Sequence, residues 1–434
     1  MVGLLIWFLV ARHFHMDGPN SALASVVLCG AAMAAWSIGV DKVHRRASTG
    51  IDWGMVRRTG REATDISLVK LTGLLATWGI IALAYGTLRY YWQGNYSFAM
   101  SVFTYTVIPL VIIAVPYVLW IDRRLVDPKD GAWHFGQWLL GGEGAEADKI
   151  WRHWRAWVVK GFFLAFMLSV VPGNYDWLVA QNSESVLADP ASTINYAINF
   201  LYMIDVHFAT VGYVLTMRPL DAHIRTANPY GMGWVAALIC YPPFVLMGGG
   251  GPLDYHVGTA DWNVWMQVVP ALVWAWGALL VLLTAIYAWA TVAFGPRFSN
   301  LTHRGIITHG PYAFSRHPAY LAKNTFWWLS SLVILPWDGG ITTALRNTVL
   351  LAIVSGVYYW RAKTEEKHLL GDPEYRAYYE WAQEHALIPR LCSRLTGLKR
   401  AMIDLHHDGP SGPTNARVGF DISHDGSPAN GENR

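Results

Sequence analysis

Two short polar clusters hold most of the residue types able to do chemistry. The first runs Gly305-Ile306-Ile307-Thr308-His309-Gly310-Pro311-Tyr312-Ala313-Phe314-Ser315-Arg316-His317-Pro318-Ala319-Tyr320, and the second runs from Glu365-Glu366-Lys367-His368 through Gly371-Asp372-Pro373 to Tyr375 and Tyr379. Arg presents a planar fork of donors to a carboxylate, paired Glu residues accept from ammonium or hydroxyl groups, and His and Tyr orient a bound molecule. Isolated charges at the end of a membrane helix snorkel or form a solvated face. That explanation does not cover Gly, Pro, Tyr, Arg and His packed into one approach to an apolar stretch, so the two clusters read as a shaped polar site.

Other candidates read differently. His303, His309, His317 and His368 follow no metal-ligand spacing, and no metal is expected. Cys29, Cys240 and Cys392 lack any C-x-x-C arrangement and suit buried apolar positions. The run Gly248-Gly249-Gly250-Gly251-Pro252 has no following Lys-Ser or Lys-Thr, so it reads as a turn and not a phosphate loop. Asp205 and His207 stand at membrane depth, where an ionisable group is a functional candidate, but at two residues apart they project about 200° from each other. Hydrogen bonding between helices serves them equally well. The 23 Trp residues suit interfacial anchoring.

The elements that must position the clusters are membrane helices. Of 434 residues, 53% are hydrophobic and 15% charged, against roughly 25% charged in a soluble domain. This excludes a typical cytosolic enzyme, and a formal charge of +3 argues against a nucleic-acid partner. Apolar stretches at 21–40, 66–88, 98–121, 157–172, 194–217, 229–247 and 264–294 approach or exceed the length that spans the bilayer. A further pair, 320–335 and 341–360, flanks Pro336-Trp337-Asp338-Gly339-Gly340 and reads as a helical hairpin. Met1 to Ala11 lacks a basic n-region and a cleavage site, so it is taken as a short first segment and not as a signal peptide.

Loop charge gives an orientation. Loop 41–65 carries Lys42, Arg45, Arg46, Arg57, Arg58 and Arg61, and 122–156 carries Arg123, Arg124, Lys129, Lys149, Arg152 and Arg155. Loops 173–193 and 248–263 carry no Lys or Arg, 89–97 has Arg89 alone, and 218–228 has Arg218 and Arg225. The excess marks the cytoplasmic side, which then also holds 295–319 and everything after 361. The expected fold is an all-α polytopic membrane bundle of about 9–10 segments. It divides into an N-terminal bundle over 1–263, a site-bearing region over 264–392, and a polar, disordered tail over 393–434.

The order Gly310-Pro311-Tyr312, Arg316-His317-Pro318-Ala319-Tyr320, membrane hairpin, Glu365-Glu366, Gly371, Tyr375, Tyr378 or Tyr379, and Ile388-Pro389-Arg390 resembles the isoprenylcysteine carboxyl methyltransferase family. The family lies within a wider group of membrane methyltransferases that includes phospholipid methyltransferases. The resemblance covers about 264 to 391, and Ala322 followed by Lys323-Asn324 stands where the family has a glycine. It implies S-adenosylmethionine as methyl donor, bound at the cytoplasmic face by His309, Gly310, Pro311, Tyr312, His317, Pro318, Tyr320, Glu365 and Glu366. It further implies Arg316, His317 and Glu366 as catalytic residues. Arg304, Lys323, Asn324, Tyr375 and Arg390 are assigned to a lipophilic substrate arriving from the bilayer. An acceptor carboxylate is ionised at neutral pH and needs positioning, whereas an amine or thiol needs a base. Alternatives from other classes are a membrane transporter with a degenerate methyltransferase-like end, and a reductase using a nicotinamide cofactor.

Overall fold

The computed structural model describes residues 1–387 and residue 390. Ile388-Pro389 and the tail expected from 393 lie outside the described residues. The described chain is built from α1 (Val2–His13), α2 (Pro19–Gly39), α3 (Arg61–Thr87), α4 (Tyr96–Asp122), α5 (Gly131–Leu139), α6 (Ala147–Ala180) and α7 (Ser183–Leu187). It continues with α8 (Pro190–Val214), α9 (Gly231–Leu238), α10 (Trp262–Met266), α11 (Pro270–Phe294), α12 (Pro318–Ser331), α13 (Gly340–Leu369) and α14 (Pro373–His385). Seven of these, α2, α3, α4, α6, α8, α11 and α13, are long and apolar enough to cross a membrane. Their outward faces stay apolar, as with Ile108, Ile112 and Ile113 on α4, which suits a hydrocarbon surrounding.

The basic loops meet at one end of the bundle, as their charge alternation leads one to expect. Ile51 bridges to Leu125, Ser48 donates to Asp221 at 2.9 Å, and Arg218 donates to the Thr49 carbonyl at 3.1 Å. Two short strands, β1 (Thr226–Ala227) and β2 (Thr302–His303), pair antiparallel at this end, with Thr226 opposite His303.

Two expected spans take another form. The stretch 229–247 is helical only as α9, and irregular backbone then runs to Asp261. Pro242-Pro243 lacks two N–H groups and Gly248 to Gly251 favours turns, so the helix cannot propagate. The segment still reaches the opposite end, where Trp262 packs with Ile194, Val273 and Leu332. Non-helical backbone is tolerated at membrane depth when protein encloses it. Here Met247, Leu253 and Tyr255 pack on Val333, Leu351 and Val354, while Asp254 accepts from the Gly250 and His256 amides at 2.8 and 3.0 Å.

The hairpin forms, but its first arm ends early. α12 has 14 residues, about 21 Å of rise, and stops where Leu332 adopts a left-handed φ of 42°. The chain reverses through 332–339 and returns as the 30-residue α13.

α8 and α11 run against each other at close range. A Cβ on Gly277 of α11 would fall between 1.9 and 3.0 Å from three carbons of Ile194 on α8, so only a glycine admits this approach. The segments before and after residue 263 are therefore joined along a helix pair.

Candidate active site

The site is assembled where α12 begins and α13 ends. Pro318 occupies the first turn of α12, where a missing N–H costs nothing, and fixes the helix start directly after Arg316 and His317. On α13, Arg361 and Glu365 lie one turn apart, and Glu366 is the next residue. Glu366 is 4% exposed and gathers three donors. Arg316 Nε lies 2.9 Å from Oε1, His317 Nε2 lies 3.1 Å from the same oxygen, and Lys363 Nζ lies 2.8 Å from Oε2. A buried carboxylate demands such compensation, and this one receives it from α13 and from the loop that leads into α12.

Around this node the rings are ordered. His317 stacks on Tyr320 at 5.7 Å with planes 6° apart. Tyr320 donates a short hydrogen bond to Glu365 Oε1. Arg316 lies over Tyr379 at 4.2 Å from the ring centroid, a favourable position for a cation. Arg361 Nη2 donates to Asn300 at 2.9 Å, and its Nε stands 3.9 Å from Glu365.

A cavity opens beside these groups, with Arg316, His317, Tyr320, Tyr312, Glu365 and Tyr375 in its wall. Lys323, Tyr287, Tyr358 and Tyr241 line its interior, Tyr241 arriving from the irregular segment after α9. Four buried side-chain atoms of the wall have no hydrogen-bond partner: Thr302 Oγ1, His303 Nε2, Arg316 Nη1 and Arg361 Nε. Burial holds the His303 imidazole below its usual range even with Asp372 at 3.7 Å, so its ring is neutral at pH 7. Unpartnered buried polar atoms are costly, and their convergence on one cavity marks a place for a polar ligand.

Several sequence-selected residues make other contacts or lie outside the wall. Arg304, 2% exposed, donates to the carbonyls of Ala222, Gly212, Phe298, Leu215 and Pro296. Its donors tie the basic-end loops together, and the residue also forms part of the cavity wall. Asn324 donates to the Tyr320 carbonyl within α12 and is outside the cavity wall. Arg390 donates to the Glu384 carbonyl beyond α14, and His309 is exposed outside the wall. Gly310 and Pro311 shape the approach instead of lining it. Gly310 has φ of 63°, and a Cβ there would meet the Trp289 ring at 3.4 Å.

Asp205 and His207 diverge as the helix period requires. Asp205 accepts from Tyr287 at 2.9 Å and, through a short bond, from Thr291. His207 faces Ser25 at 2.6 Å and the Met203 carbonyl at 2.7 Å. Arg361 and Lys363 were not selected from the sequence. The signal for Arg361 was present, since a charge one turn before Glu365 in an apolar helix is rare. Tyr241, Thr302 and His303 reach the cavity through the irregular segment and the β1–β2 pairing, which no local pattern reveals.

Residues 273–371 match the model of the isoprenylcysteine carboxyl methyltransferase (ICMT) family. The match runs from α11 to the turn after α13 and includes Arg316, His317, Lys363, Glu365 and Glu366. It is narrower at both ends than the expected 264 to 391. No curated protein and no solved structure matches the chain.

Proposed function

Proceeding from an ICMT-family methyltransferase domain in a multi-pass membrane protein, we propose that the cavity beside Glu366 binds S-adenosylmethionine and transfers its methyl group to a lipophilic acceptor. The observation that carries this reading is the convergence of Thr302 Oγ1, His303 Nε2, Arg316 Nη1 and Arg361 Nε, all buried and without a hydrogen bond, on a cavity that also holds Glu365. Those groups fit the cofactor's chemistry. Cationic donors suit its carboxylate, a carboxylate and neutral imidazole suit its ammonium and ribose hydroxyls, and the Tyr faces suit a sulfonium.

When bound, S-adenosylmethionine supplies an electrophilic methyl group on a positively charged sulfur. Arg316 Nη1 and Thr302 would hold the carboxylate end, and Glu365 would hold the ammonium or a ribose hydroxyl. Glu366 fixes Arg316 and His317 from behind, so these two act from a set geometry. Tyr312, Tyr320 and Tyr358 wall off water, and alignment with water exclusion is what this chain contributes to the rate. The basic end of the bundle is assigned to the cytoplasm, on the positive-inside rule.

Calorimetric titration of the purified full chain with S-adenosylmethionine tests the reading. Wild type binds, and Glu365→Ala and His317→Ala lose at least tenfold in affinity with helical circular dichroism unchanged. Undiminished binding in both variants removes the site assignment.

A further inference from the structure

The loop between α2 and α3 folds back along the end of α4. The Asp52 amide donates to the Arg124 carbonyl at 2.9 Å, the Val126 amide to the Gly50 carbonyl at 3.0 Å, and the Arg58 amide to the Arg123 carbonyl at 3.2 Å. These backbone bonds fix a pocket at the basic end, with His44, Arg45, Ile51, Trp53 and Val126 in its wall. The Trp53 ring takes the Arg124 guanidinium at 5.1 Å, meets His44 edge-on at 5.8 Å and lies 6.0 Å from Trp120. Arg58 is tied to the same wall, since its Nη2 donates to the Val126 carbonyl at 2.9 Å.

Three side-chain nitrogens of this group are buried without a hydrogen bond: His44 Nδ1, Arg58 Nη1 and Arg124 Nε. Such atoms are costly unless a ligand meets them. The acid in the wall does not serve, because Asp52 Oδ1 is turned onto the Gly54 and Met55 amides at 2.9 and 3.1 Å. Among the described residues, Arg45, Arg57, Arg58, Arg123 and Arg124 form no ion pair with a carboxylate. Other cations of this end are matched: Arg46 lies 3.8 Å from Asp221, Lys149 2.9 Å from Glu146 and Arg152 2.7 Å from Asp148. Uncompensated guanidinium groups on a fixed backbone are complementary to a phosphate.

The surroundings separate a lipid phosphate from a soluble one. α2, α3 and α4 are long and apolar enough to cross the membrane, and the pocket sits where they end. Exposed apolar groups accompany the charge, with Val56 at 90% exposure, Val126 at 64% and Trp120 at 41%. A soluble anion has no use for that rim, whereas a phospholipid presents its headgroup and hydrocarbon together. Basic pockets between membrane helices and interfacial Trp suit an acidic headgroup at the cytoplasmic surface.

We propose that the pocket around Trp53 is a binding site for an anionic phospholipid, whose phosphate is received by His44, Arg58 and Arg124. None of its residues belongs to the cavity beside Glu366 or to the matched span 273–371. It gives the N-terminal bundle a ligand of its own.

The test titrates the purified full chain in detergent, by calorimetry, with dioctanoyl phosphatidylglycerol, dioctanoyl phosphatidylcholine and glycerol phosphate. Wild type is expected to bind phosphatidylglycerol at least about tenfold more tightly than either other probe, a preference two cations at a membrane surface can supply. Arg58→Gln combined with Arg124→Gln brings phosphatidylglycerol to within about threefold of phosphatidylcholine. Lys149→Gln combined with Arg152→Gln removes the same charge at the same end and keeps the preference. Size-exclusion elution and circular dichroism report the fold. If the first pair fails that control, Arg45→Gln, an exposed pocket residue, replaces it with at least about a threefold loss expected. No headgroup preference in wild type, a preference undiminished in the pocket variant, or an equal loss in the Lys149 and Arg152 pair overturns the site. Glycerol phosphate binding as tightly as phosphatidylglycerol overturns the lipid and leaves a pocket for a soluble phosphate.

Discussion

Asp205 of α8 and Tyr287 of α11 share a hydrogen bond of 2.9 Å inside the bundle, and Thr291 engages the second carboxylate oxygen. Tyr287 is also a wall of the cavity and lies beside Lys323. The acid at membrane depth therefore reaches the site through a tyrosine held in place. Asp205→Asn should destabilise the folded chain by about 1 kcal/mol, the usual scale for a polar contact between membrane helices. Methyl transfer should fall a few-fold while S-adenosylmethionine affinity is kept. Loss of a transported solute's flux, with methyl transfer untouched, would count for the transport alternative.

Glu366 receives Arg316, His317 and Lys363 at 2.8 to 3.1 Å. Glu366→Gln removes the charge that aligns them while keeping the shape. Methyl transfer from labelled S-adenosylmethionine into a lipid extract should drop about 10²-fold, roughly the 3 kcal/mol at stake when one partner of a buried pair is removed. A rate within threefold of wild type would show that the node is structural only.

Arg304 separates fold from catalysis. Arg304→Met strips donors from five carbonyls at the basic end, and buried acceptors left unpaired cost about 1–3 kcal/mol each. The variant should lose most of its folded yield by size-exclusion chromatography. Arg304→Lys, which restores charge without the fork, should recover only part of it. A well-folded Arg304→Met enzyme with a raised KM would return this residue to the substrate.

His223 gives the basic end a pH dependence. Burial, with Arg218, Arg225 and Arg304 nearby, pushes its imidazole down to about 3. Its Nδ1 is buried without a partner. The unfolded ring takes up a proton near pH 6.5 and the folded ring does not, so the stability it contributes is complete above about 6.5 and declines as pH falls toward 3. Thermal unfolding followed between pH 7.5 and 5 should show a falling midpoint in wild type and a flatter profile in His223→Gln. Equal slopes would exclude this histidine as the source.

The membrane class, the common end of the basic loops and the Arg316, His317, Glu365, Glu366 group were legible in the sequence because each rests on composition or short-range order. Hydropathy failed over 229–247 because it counts apolar residues and is blind to the missing N–H groups of Pro242-Pro243. The backbone role of Arg304 was missed for a related reason. A guanidinium near a polar motif looks the same whether it faces a ligand or five backbone carbonyls, and only the meeting of loops from 212 to 304 decides it. Tyr241 escaped notice, and His303 was weighed only as a metal ligand, because their place depends on contacts far apart in the chain.

The brevity of α12 bears on how the protein is made. At 14 residues and carrying Lys323, it is a poor candidate for independent entry into the bilayer, where a central lysine costs about 2.5–3.5 kcal/mol and a span needs about 20 residues. Its aromatic enclosure draws on Tyr287 of α11 and Tyr358 of α13. α12 must therefore enter together with α13, as a pair accepted by helices already inserted. During synthesis the cavity wall stays incomplete until α13 and the Tyr375 and Tyr378 positions of α14 have been made.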